Sequence, residues 1–250
     1  MELKDKLRRG EKAVGSFMGF PSPVVTEMLG LTGYDFAIMD IEHGNYDNRD
    51  VEECLRAAQC ADIPCIARIP RADPVTIQKM LDLGADGLMV SMVNTAEQAQ
   101  VVHDFSVYAP DGKRGISSHT RMGRYGHVSR QGLFSAAKNE KLISVQIETR
   151  EGVANADSIL AVEGIDMIFV GAADMAVSYG YESPTAPELM PVFEELGRKI
   201  TDTGHIAGIF LPDAALCRRF MDMGYRFFAT TVIGVMQSAF TNQVKAIKAL

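Results

Sequence analysis

The 250-residue sequence predicts an α/β fold, a single-domain barrel of eight parallel strands spanning residues 1–250. Three observations lead to this prediction: eight short apolar runs recur along the chain, helix-like segments separate them, and no Pro-, Gly- or Ser-rich linker divides the sequence. Continuous apolar runs are typical of strands buried on both faces of a parallel sheet. Eight such βα units in about 250 residues are what a (β/α)8 barrel requires.

The predicted elements alternate regularly along the chain. The strand candidates are 13–20, 36–42, 64–70, 87–93, 142–148, 167–172, 206–212 and 227–233. Segments such as "DPVTIQKMLDLGA" begin with Asp in an N-cap position and end near a Gly suited to a helix C-terminus. We expect an elaborated loop and helix at about 107–141 and a C-terminal helix at 234–250. An open doubly wound sheet fits less well, since no GxGxxG phosphate loop occurs and no nucleotide cofactor is expected.

Composition excludes several classes of protein. The formal charge of −7 and pI near 5.3 argue against nucleic-acid binding, which needs a basic face. No apolar run approaches the roughly 18 residues that span a bilayer, so no membrane partner is expected. The scattered cysteines and the charged, signal-free N-terminal sequence predict a reducing, cytoplasmic setting.

The segment 112–139 runs against the acidic trend, because it contains no Asp or Glu. Its basic residues are Lys113, Arg114, Arg121, Arg124, Arg130 and Lys138. Two interpretations stay open: a solvated or subunit-facing loop, or a collar that attracts an anionic small substrate. In the second interpretation, Arg121 and Arg124 would reach a polar tail of that substrate.

Polar side chains gather where the predicted strands end. Active sites of (β/α)8 barrels form at the C-terminal ends of the strands, and buried polar groups are costly unless paired. We therefore expect one site built from four such strand ends. Its residues are Asp40, Glu42 and His43 after strand two, Arg68 near the end of strand three, Gln146 and Glu148 on strand five, and Asp174 after strand six.

Glu148 and Asp174 would project from neighbouring strands, which lie roughly 4.8 Å apart. Two such carboxylates could bind one hard divalent cation and leave positions for water and substrate. They could instead form an acid/base pair, as in glycoside hydrolysis, or a structural network with arginine. Asp40, three residues before His43, could accept a hydrogen bond from the imidazole and make His43 a proton-transfer base.

Lysine is missing from every predicted strand. A Schiff-base aldolase needs a desolvated lysine inside the barrel, so none is expected and carbonyl activation would come from a metal.

Six blocks of the sequence resemble, in order, the motifs of the HpcH/HpaI aldolases, which are metal-dependent class II pyruvate aldolases. The blocks are "MDIEHGNYD", "ARIP", "LDLGADGLMVSMVNTAEQA", "YAPDGKRG", "VQIET" and "FVGAADMAVSYG". The resemblance implies a (β/α)8 barrel that binds Mg²⁺, Mn²⁺ or Co²⁺. It further implies the following roles: Glu148 and Asp174 as metal ligands, Arg68 as the pyruvate-binding and enolate-stabilising cation, His43 with Asp40 as the catalytic dyad, and Gln146, Gly171 and Ala173 around pyruvate.

Departures from the family pattern concern the surroundings of the site. They are Ile41, Gly44-Asn45, Ala172, and the lack of an Asp in "ATTVIGV". None removes an expected catalytic group, and all leave the aldehyde open.

The expected reaction is reversible cleavage of a 4-hydroxy-2-oxo acid to pyruvate and an aldehyde. Two alternatives remain at this point: metal-dependent decarboxylation of oxaloacetate-like acids, and non-catalytic binding of 2-oxo acids. The apolar residues of the C-terminal helix, together with the resemblance, predict a homo-oligomer, commonly a hexamer in this family.

Overall fold

In the computed structural model, which describes residues 2–211 and 213–250, eight parallel strands close into a barrel in chain order. The strands are β1 (Ala13–Met18), β2 (Phe36–Asp40), β3 (Cys65–Ile69), β4 (Gly87–Val90), β5 (Leu142–Ile147), β6 (Met167–Val170), β7 (Ile206–Phe210) and β8 (Phe227–Thr231). β8 pairs back onto β1, with Gly15 opposite Ala229. The predicted barrel is confirmed. Each strand ends before the predicted C-terminal boundary, and position 212 of the seventh prediction lies outside the described residues.

Helices cover the outside of the barrel. They are α1 (Glu2–Arg8), α2 (Pro23–Leu31), α3 (Asn48–Cys60), α4 (Pro74–Asp82), α5 (Ala96–Ser106), α6 (Arg130–Ser135), α7 (Arg150–Ala154), α8 (Ala156–Leu160), α9 (Ala172–Tyr179), α10 (Met190–Asp202), α11 (Ala214–Asp222) and α12 (Val232–Lys248). Short polar residues begin several of them. Asp73, for example, accepts the main-chain N–H of Thr76 at 2.8 Å, as its N-cap position predicts. No described helix has the length and apolarity needed to cross a membrane.

Large side chains fill the inside of the barrel. Phe36 stacks on Phe227 with ring centroids 3.8 Å apart, and Phe169 meets Phe227 edge to face. Gly15 of β1 faces the Phe36 ring, and a Cβ atom at this position would clash with it. A second apolar cluster lies between the strands and the helices. The barrel is therefore a packed core with a floor of aromatic rings beneath its C-terminal end.

Three aspartates at the N-terminal end of the barrel tie alternate strands together. Asp35, Asp86 and Asp166 directly precede β2, β4 and β6. Each carboxylate accepts a main-chain N–H from the preceding strand at 2.8–3.0 Å. The donors are Val14, Cys65 and Ile143. The side chains thereby fix the pairing register of these strands at the N-terminal end of the barrel.

Helix α1 closes the same end of the barrel. Leu3 and Leu7 are buried in the inner core, and Lys4 forms an ion pair with Asp166 at 2.8 Å. Lys6 pairs with Asp35. Apolar packing and ion pairs therefore both hold the first helix against the barrel.

The stretch between α5 and β5 contains α6, a 3₁₀ turn at Arg124–Gly126 and one π turn at Ala136–Glu140. Its middle lies against the C-terminal ends of α3 and α4. Arg121 donates to the main-chain oxygen of Leu83 at 3.3 Å and to Gln59 Oε1 at 2.6 Å.

Helices run antiparallel to the strands, so these contacts place Arg121 at the N-terminal end of the barrel. The expectation that Arg121 reaches a substrate at the catalytic end of its own barrel is wrong. The neighbouring Tyr125 contacts Arg56 on the outer side of α3 (3.3 Å between Oη and Nη2), which directs the turn containing Arg124 to the outer wall. The collar interpretation of segment 112–139 fails with it for this chain's own site.

Candidate active site

Arg68 and Asp40 lie side by side at the C-terminal ends of β3 and β2, where strand register pairs them. Arg68 Nε donates to Asp40 Oδ1 at 2.9 Å, and Nη2 donates to Oδ2 at 2.6 Å. The guanidinium also lies over the ring of Phe17, 4.6 Å from its centroid. A bidentate ion pair over an aromatic face holds the guanidinium in one plane. The positive charge at the barrel mouth is therefore fixed in position.

His43 lies on the loop after β2, with 67% of its side chain exposed. Its main-chain N–H donates to Asp40 Oδ1 at 3.1 Å, and its Nε2 lies 3.8 Å from Glu42 Oε2. Among the hydrogen bonds of the described residues, none joins the His43 ring to Asp40. The predicted orientation of the imidazole by Asp40 is thus not present; Asp40 instead accepts from the Arg68 guanidinium and from the His43 main-chain N–H. The catalytic role of the pair stays a prediction.

The loop that carries the histidine is held from two sides. The Tyr46 hydroxyl lies 3.0 Å and 2.8 Å from the main-chain oxygens of Met18 and Phe20, beyond the end of β1. Gly44 N–H donates to the Asp40 main-chain oxygen at 2.9 Å, and a Cβ atom on Gly44 would clash with that oxygen. Glycine at this position therefore permits the tight turn that the loop makes.

Glu148 follows β5 and is only 2% exposed. Its Oε1 accepts the main-chain N–H of Met92 at 2.7 Å, and its Oε2 accepts Gln146 Nε2 at 2.7 Å. Burial, reinforced by the negative charges of Asp174 and Glu42, raises the pKa of Glu148 to about 7. Burial outweighs the opposing effects of the Met92 N–H and the Arg68 charge, so the ionised form of this carboxylate is costly.

The start of α9 brings the remaining predicted residues to the same end of the barrel. Ala173 and Asp174 are exposed in its first turn, and the charge of Asp174 acts on Glu148. Gly171 packs so closely against Glu148 that a Cβ atom would clash with Oε2. The backbone of residue 171 and the buried carboxylate therefore form adjoining parts of one wall.

The residues at this wall fit a hard divalent cation. Over the described parts of the chain, no group of three or more His, Cys, Asp and Glu side chains is arranged to hold a metal. A two-carboxylate site is a different arrangement, in which water and substrate oxygens supply the remaining ligands. A cation beside Glu148 would add to the effect of Arg68 and stabilise the ionised carboxylate. Glu148 and Asp174 are the candidate ligands.

Sequence reasoning gave Glu42 no role of its own and missed Ser91. Ser91 is fully buried just after β4, with its Oγ 2.6 Å from Glu42 Oε2 and 3.1 Å from Gln146 Oε1. Glu42 Oε2 also lies 3.5 Å from Arg68 Nε. The signal for Ser91 was present, since a hydroxyl follows the apolar run "GLMV". The rule applied to the other strand ends would have found it.

Comparison with known proteins decides the family. The HpcH/HpaI aldolase/citrate lyase family matches residues 14–238. The chain belongs to this family. It is 34% identical over 232 residues to a hydroxypyruvate/pyruvate aldolase of Roseobacter denitrificans, covering 92% of this chain and 90% of the relative. It is 38% identical over 233 residues to a 4-hydroxy-2-oxovalerate aldolase of Novosphingobium aromaticivorans, covering 92% and 87%.

The fold agrees with a solved structure of the same family. The HpcH/HpaI aldolase of Desulfitobacterium hafniense superimposes with a TM-score of 0.93 at 28% identity, covering 99% of this chain and 97% of that one. The predicted family, the barrel and an enzyme of the carbon–carbon lyase class are confirmed. HpcH/HpaI proteins are generally dependent on a divalent metal.

Proposed function

We propose that this HpcH/HpaI protein is a divalent-metal-dependent aldolase that reversibly cleaves a 4-hydroxy-2-oxo acid to pyruvate and an aldehyde. One observation carries the proposal. A fixed guanidinium, that of Arg68, and a buried carboxylate with a pKa near 7, that of Glu148, face the same barrel mouth. The first is suited to an anionic 2-oxo acid and the second to a cation.

The pyruvate half of the substrate would occupy the inner part of the mouth. When held by Glu148 and Asp174, Mg²⁺, Mn²⁺ or Co²⁺ would supply Lewis-acid polarisation of the 2-oxo carbonyl. Arg68 would place its fixed positive charge where negative charge develops on the pyruvate oxygen as the C3–C4 bond breaks. Gln146 and the main chain at Gly171 and Ala173 would surround this half.

The aldehyde half would face the exposed rim, where His43 lies. His43 would accept the proton of the 4-hydroxyl as the C4–O bond becomes a carbonyl. The electron pair of the C3–C4 bond would pass to the pyruvate enolate, and the proton accepted by His43 would return to C3, directly or through water, to give pyruvate. Asp40 would act through both neighbours, since it accepts from Arg68 and from the main-chain N–H of His43.

A panel experiment tests the proposed reaction. Pyruvate is incubated with a series of aldehydes, with metal-stripped protein and with the same protein resupplied with Mg²⁺, Mn²⁺ or Co²⁺, and aldol products are separated by chromatography. Release of CO₂ from oxaloacetate is measured in parallel. Metal-dependent aldol products would support the proposal. Full activity without metal, or CO₂ release with no aldol product, would overturn it.

We further propose that the chain assembles with copies of itself through α12. Apart from Val232 at its start, this helix is almost wholly exposed. Its exposed apolar residues include Ile233, Val235, Phe240, Val244 and Ile247. Helix α2 presents a second exposed apolar stripe, formed by Val24, Met28 and Leu31. Exposed apolar patches of this kind mark association surfaces.

Light scattering tests the assembly. We expect an oligomer, with a hexamer favoured by the family resemblance, and we expect Phe240→Asp with Val244→Asp to reduce its mass. A wild-type monomer at micromolar concentration would contradict the proposal.

The cysteines support a reducing, cytoplasmic setting, which is the location we propose. Cys54, Cys60, Cys65 and Cys217 are all free thiols. Free thiols persist where glutathione and thioredoxin keep them reduced.

A further inference from the structure

The residues directly after β4 contribute none of the catalytic or metal-binding groups proposed above, yet they hold both oxygens of Glu148. Met92 donates its main-chain N–H directly to Oε1 at 2.7 Å. Ser91 reaches Oε2 through Gln146, whose amide nitrogen donates to that oxygen at 2.7 Å. Two successive residues therefore determine how the buried carboxylate is presented.

The Ser91 hydroxyl and the Glu148 carboxylate together favour one orientation of the Gln146 amide. Ser91 Oγ lies 3.1 Å from Gln146 Oε1, so the carbonyl end faces a donor and the NH₂ end faces Glu148. If the amide turned over, its carbonyl oxygen would face the carboxylate and repel it. The site is fully buried, so water offers no easy replacement for the lost partner. Removing the hydroxyl therefore weakens the preference for this orientation and leaves Glu148 alone to hold the amide.

The same hydroxyl holds Glu42 on the opposite side of the mouth. Ser91 Oγ lies 2.6 Å from Glu42 Oε2, and that oxygen is the one nearest the His43 ring and Arg68. A serine has one proton to donate and two acceptors here. The hydroxyl proton is shared between them, and the shorter contact, to the carboxylate, takes the larger share, so Glu42 competes with Gln146 for this donor.

Met92 supplies an independent sign that this strand end serves the site. Its φ of 57° lies in the left-handed region, which side chains other than glycine rarely adopt. The conformation directs the main-chain N–H at Glu148 Oε1. Such conformations persist where the surroundings enforce them, and they cluster at functional sites.

We propose that Ser91 is a positioning residue that joins the Glu42 side of the mouth to the Gln146–Glu148 pair and sets the geometry in which Glu148 meets a divalent cation. The inference rests on the proposed metal-dependent function. It assigns Ser91 a role in metal affinity and in the orientation of Gln146 toward pyruvate, without contact with the reacting atoms.

The chain offers a matched control for testing Ser91. Ser144 is also a fully buried serine near the barrel axis, and its hydroxyl donates to the main-chain oxygen of Leu88 at 2.7 Å, away from the site. Ser91→Ala and Ser144→Ala therefore each remove one buried hydroxyl. We expect Ser91→Ala to weaken Mn²⁺ binding to the metal-stripped protein by roughly 10-fold to 100-fold, the range typical of residues that orient metal ligands. Ser144→Ala should bind Mn²⁺ like wild type.

Calorimetric titration with Mn²⁺ measures binding without turnover, and thermal unfolding confirms that each variant is folded. Mn²⁺ affinity in Ser91→Ala equal to wild type overturns the inference, as does an equal loss in both serine variants. If wild type binds Mn²⁺ but forms no aldol product, the proposed function fails while the serine comparison still decides the role of Ser91. A wild type that does not bind Mn²⁺ overturns both.

A double-mutant cycle with Glu42→Gln gives a second measurement should Ser91→Ala be poorly folded. The amide that Glu42→Gln introduces would donate to Ser91 Oγ and leave the hydroxyl proton for Gln146. Glu42→Gln should therefore change Mn²⁺ affinity in the protein that keeps Ser91. The same substitution should have less effect when residue 91 is cysteine, in Ser91→Cys, since a thiol is a weak donor. Identical effects in the two backgrounds would overturn the coupling.

Discussion

The guanidinium of Arg68 and the carboxylate of Asp40 form a two-point ion pair, and Asp40 Oδ1 also accepts the main-chain N–H of His43. Asp40 therefore positions the arginine side chain and the histidine main chain at once. Loss of Asp40 should disturb pyruvate binding as well as proton transfer. Asp40→Asn would retain an oxygen for one contact but leave the arginine with only the longer ion pair to Glu42.

Arg68→Ala should lower kcat/KM by roughly 10²-fold or more, as expected when one electrostatic stabiliser is removed. Arg68→Lys should recover little, because an ammonium group cannot reproduce the planar fork that meets Asp40. Steady-state kinetics in the cleavage direction measure both. Arg198→Ala, which removes an exposed surface ion pair with Asp202, is the control. Wild-type kinetics in Arg68→Lys would contradict the assignment.

His43→Ala should depress cleavage by about 10²–10⁴-fold, the range for loss of a general base. Metal and pyruvate binding should survive, since the ring is exposed and lies at the rim. Rapid-quench rates and Mn²⁺ titration separate the two properties. His119→Ala, in segment 112–139, serves as the control. Loss of Mn²⁺ binding in His43→Ala would show that the histidine is a ligand.

Glu148→Gln should abolish Mn²⁺ binding, and EDTA should abolish wild-type activity until Mg²⁺, Mn²⁺ or Co²⁺ is restored. The substituted amide would place an NH₂ group opposite one of the two donors, Met92 N–H or Gln146 Nε2, so a modest loss of stability should accompany it. Calorimetry and circular dichroism measure the two effects. The exposed Glu195→Gln is the matched control. Retained metal binding in Glu148→Gln would remove this residue from the site.

The raised pKa of Glu148 predicts how the metal-free protein responds to pH. Burial raises this pKa from 4.5 to about 7, so the native state binds a proton more tightly than the unfolded chain. The stabilisation from this proton is complete below about pH 4.5 and is lost as the pH rises through about 7, an effect of roughly 3 kcal/mol. Urea unfolding at about pH 5 and about pH 8 should show this loss in wild type and not in Glu148→Gln. Parallel pH profiles for the two proteins would contradict the prediction.

Borohydride treatment with pyruvate should leave the mass of the protein unchanged. Burial lowers the pKa of Lys141, a property that Schiff-base lysines share, but this residue precedes β5 at the end of the barrel opposite the site. Mass spectrometry after reduction measures any adduct, and Lys141→Arg should retain activity. A trapped pyruvate on any lysine would overturn the metal-based interpretation of the chemistry.

The sequence predicted the strands and the end at which the polar residues meet, because both follow from local patterns. Runs of apolar residues fix the strands, and the barrel rule places their C-terminal ends together. Asp40, Arg68, Glu148 and Asp174 were found in this way. The same rule, applied to the fourth strand, would have included Ser91.

Contacts between distant segments could not be read from the same patterns. The partner of Asp40 depends on the register of β2 against β3, which pairs it with Arg68 rather than with the imidazole three residues away. The position of Arg121 depends on how a long loop folds back onto α3 and α4. The charge of Arg121 suggested an anionic binding partner, whereas the side chain donates to a main-chain oxygen and to a side-chain amide oxygen.

The three aspartates at the N-terminal end bear on how this fold can evolve. Asp35, Asp86 and Asp166 hold alternate strands in register from the end that takes no part in the proposed chemistry. A one-residue slip of any strand would turn its side chains to the wrong face, so this anchoring protects the geometry at the mouth. Loops at the mouth can then diverge without disturbing the strands beneath them. Relatives that share 31–38% of their residues with this chain carry the names of aldolases with different substrates, as such tolerance would permit.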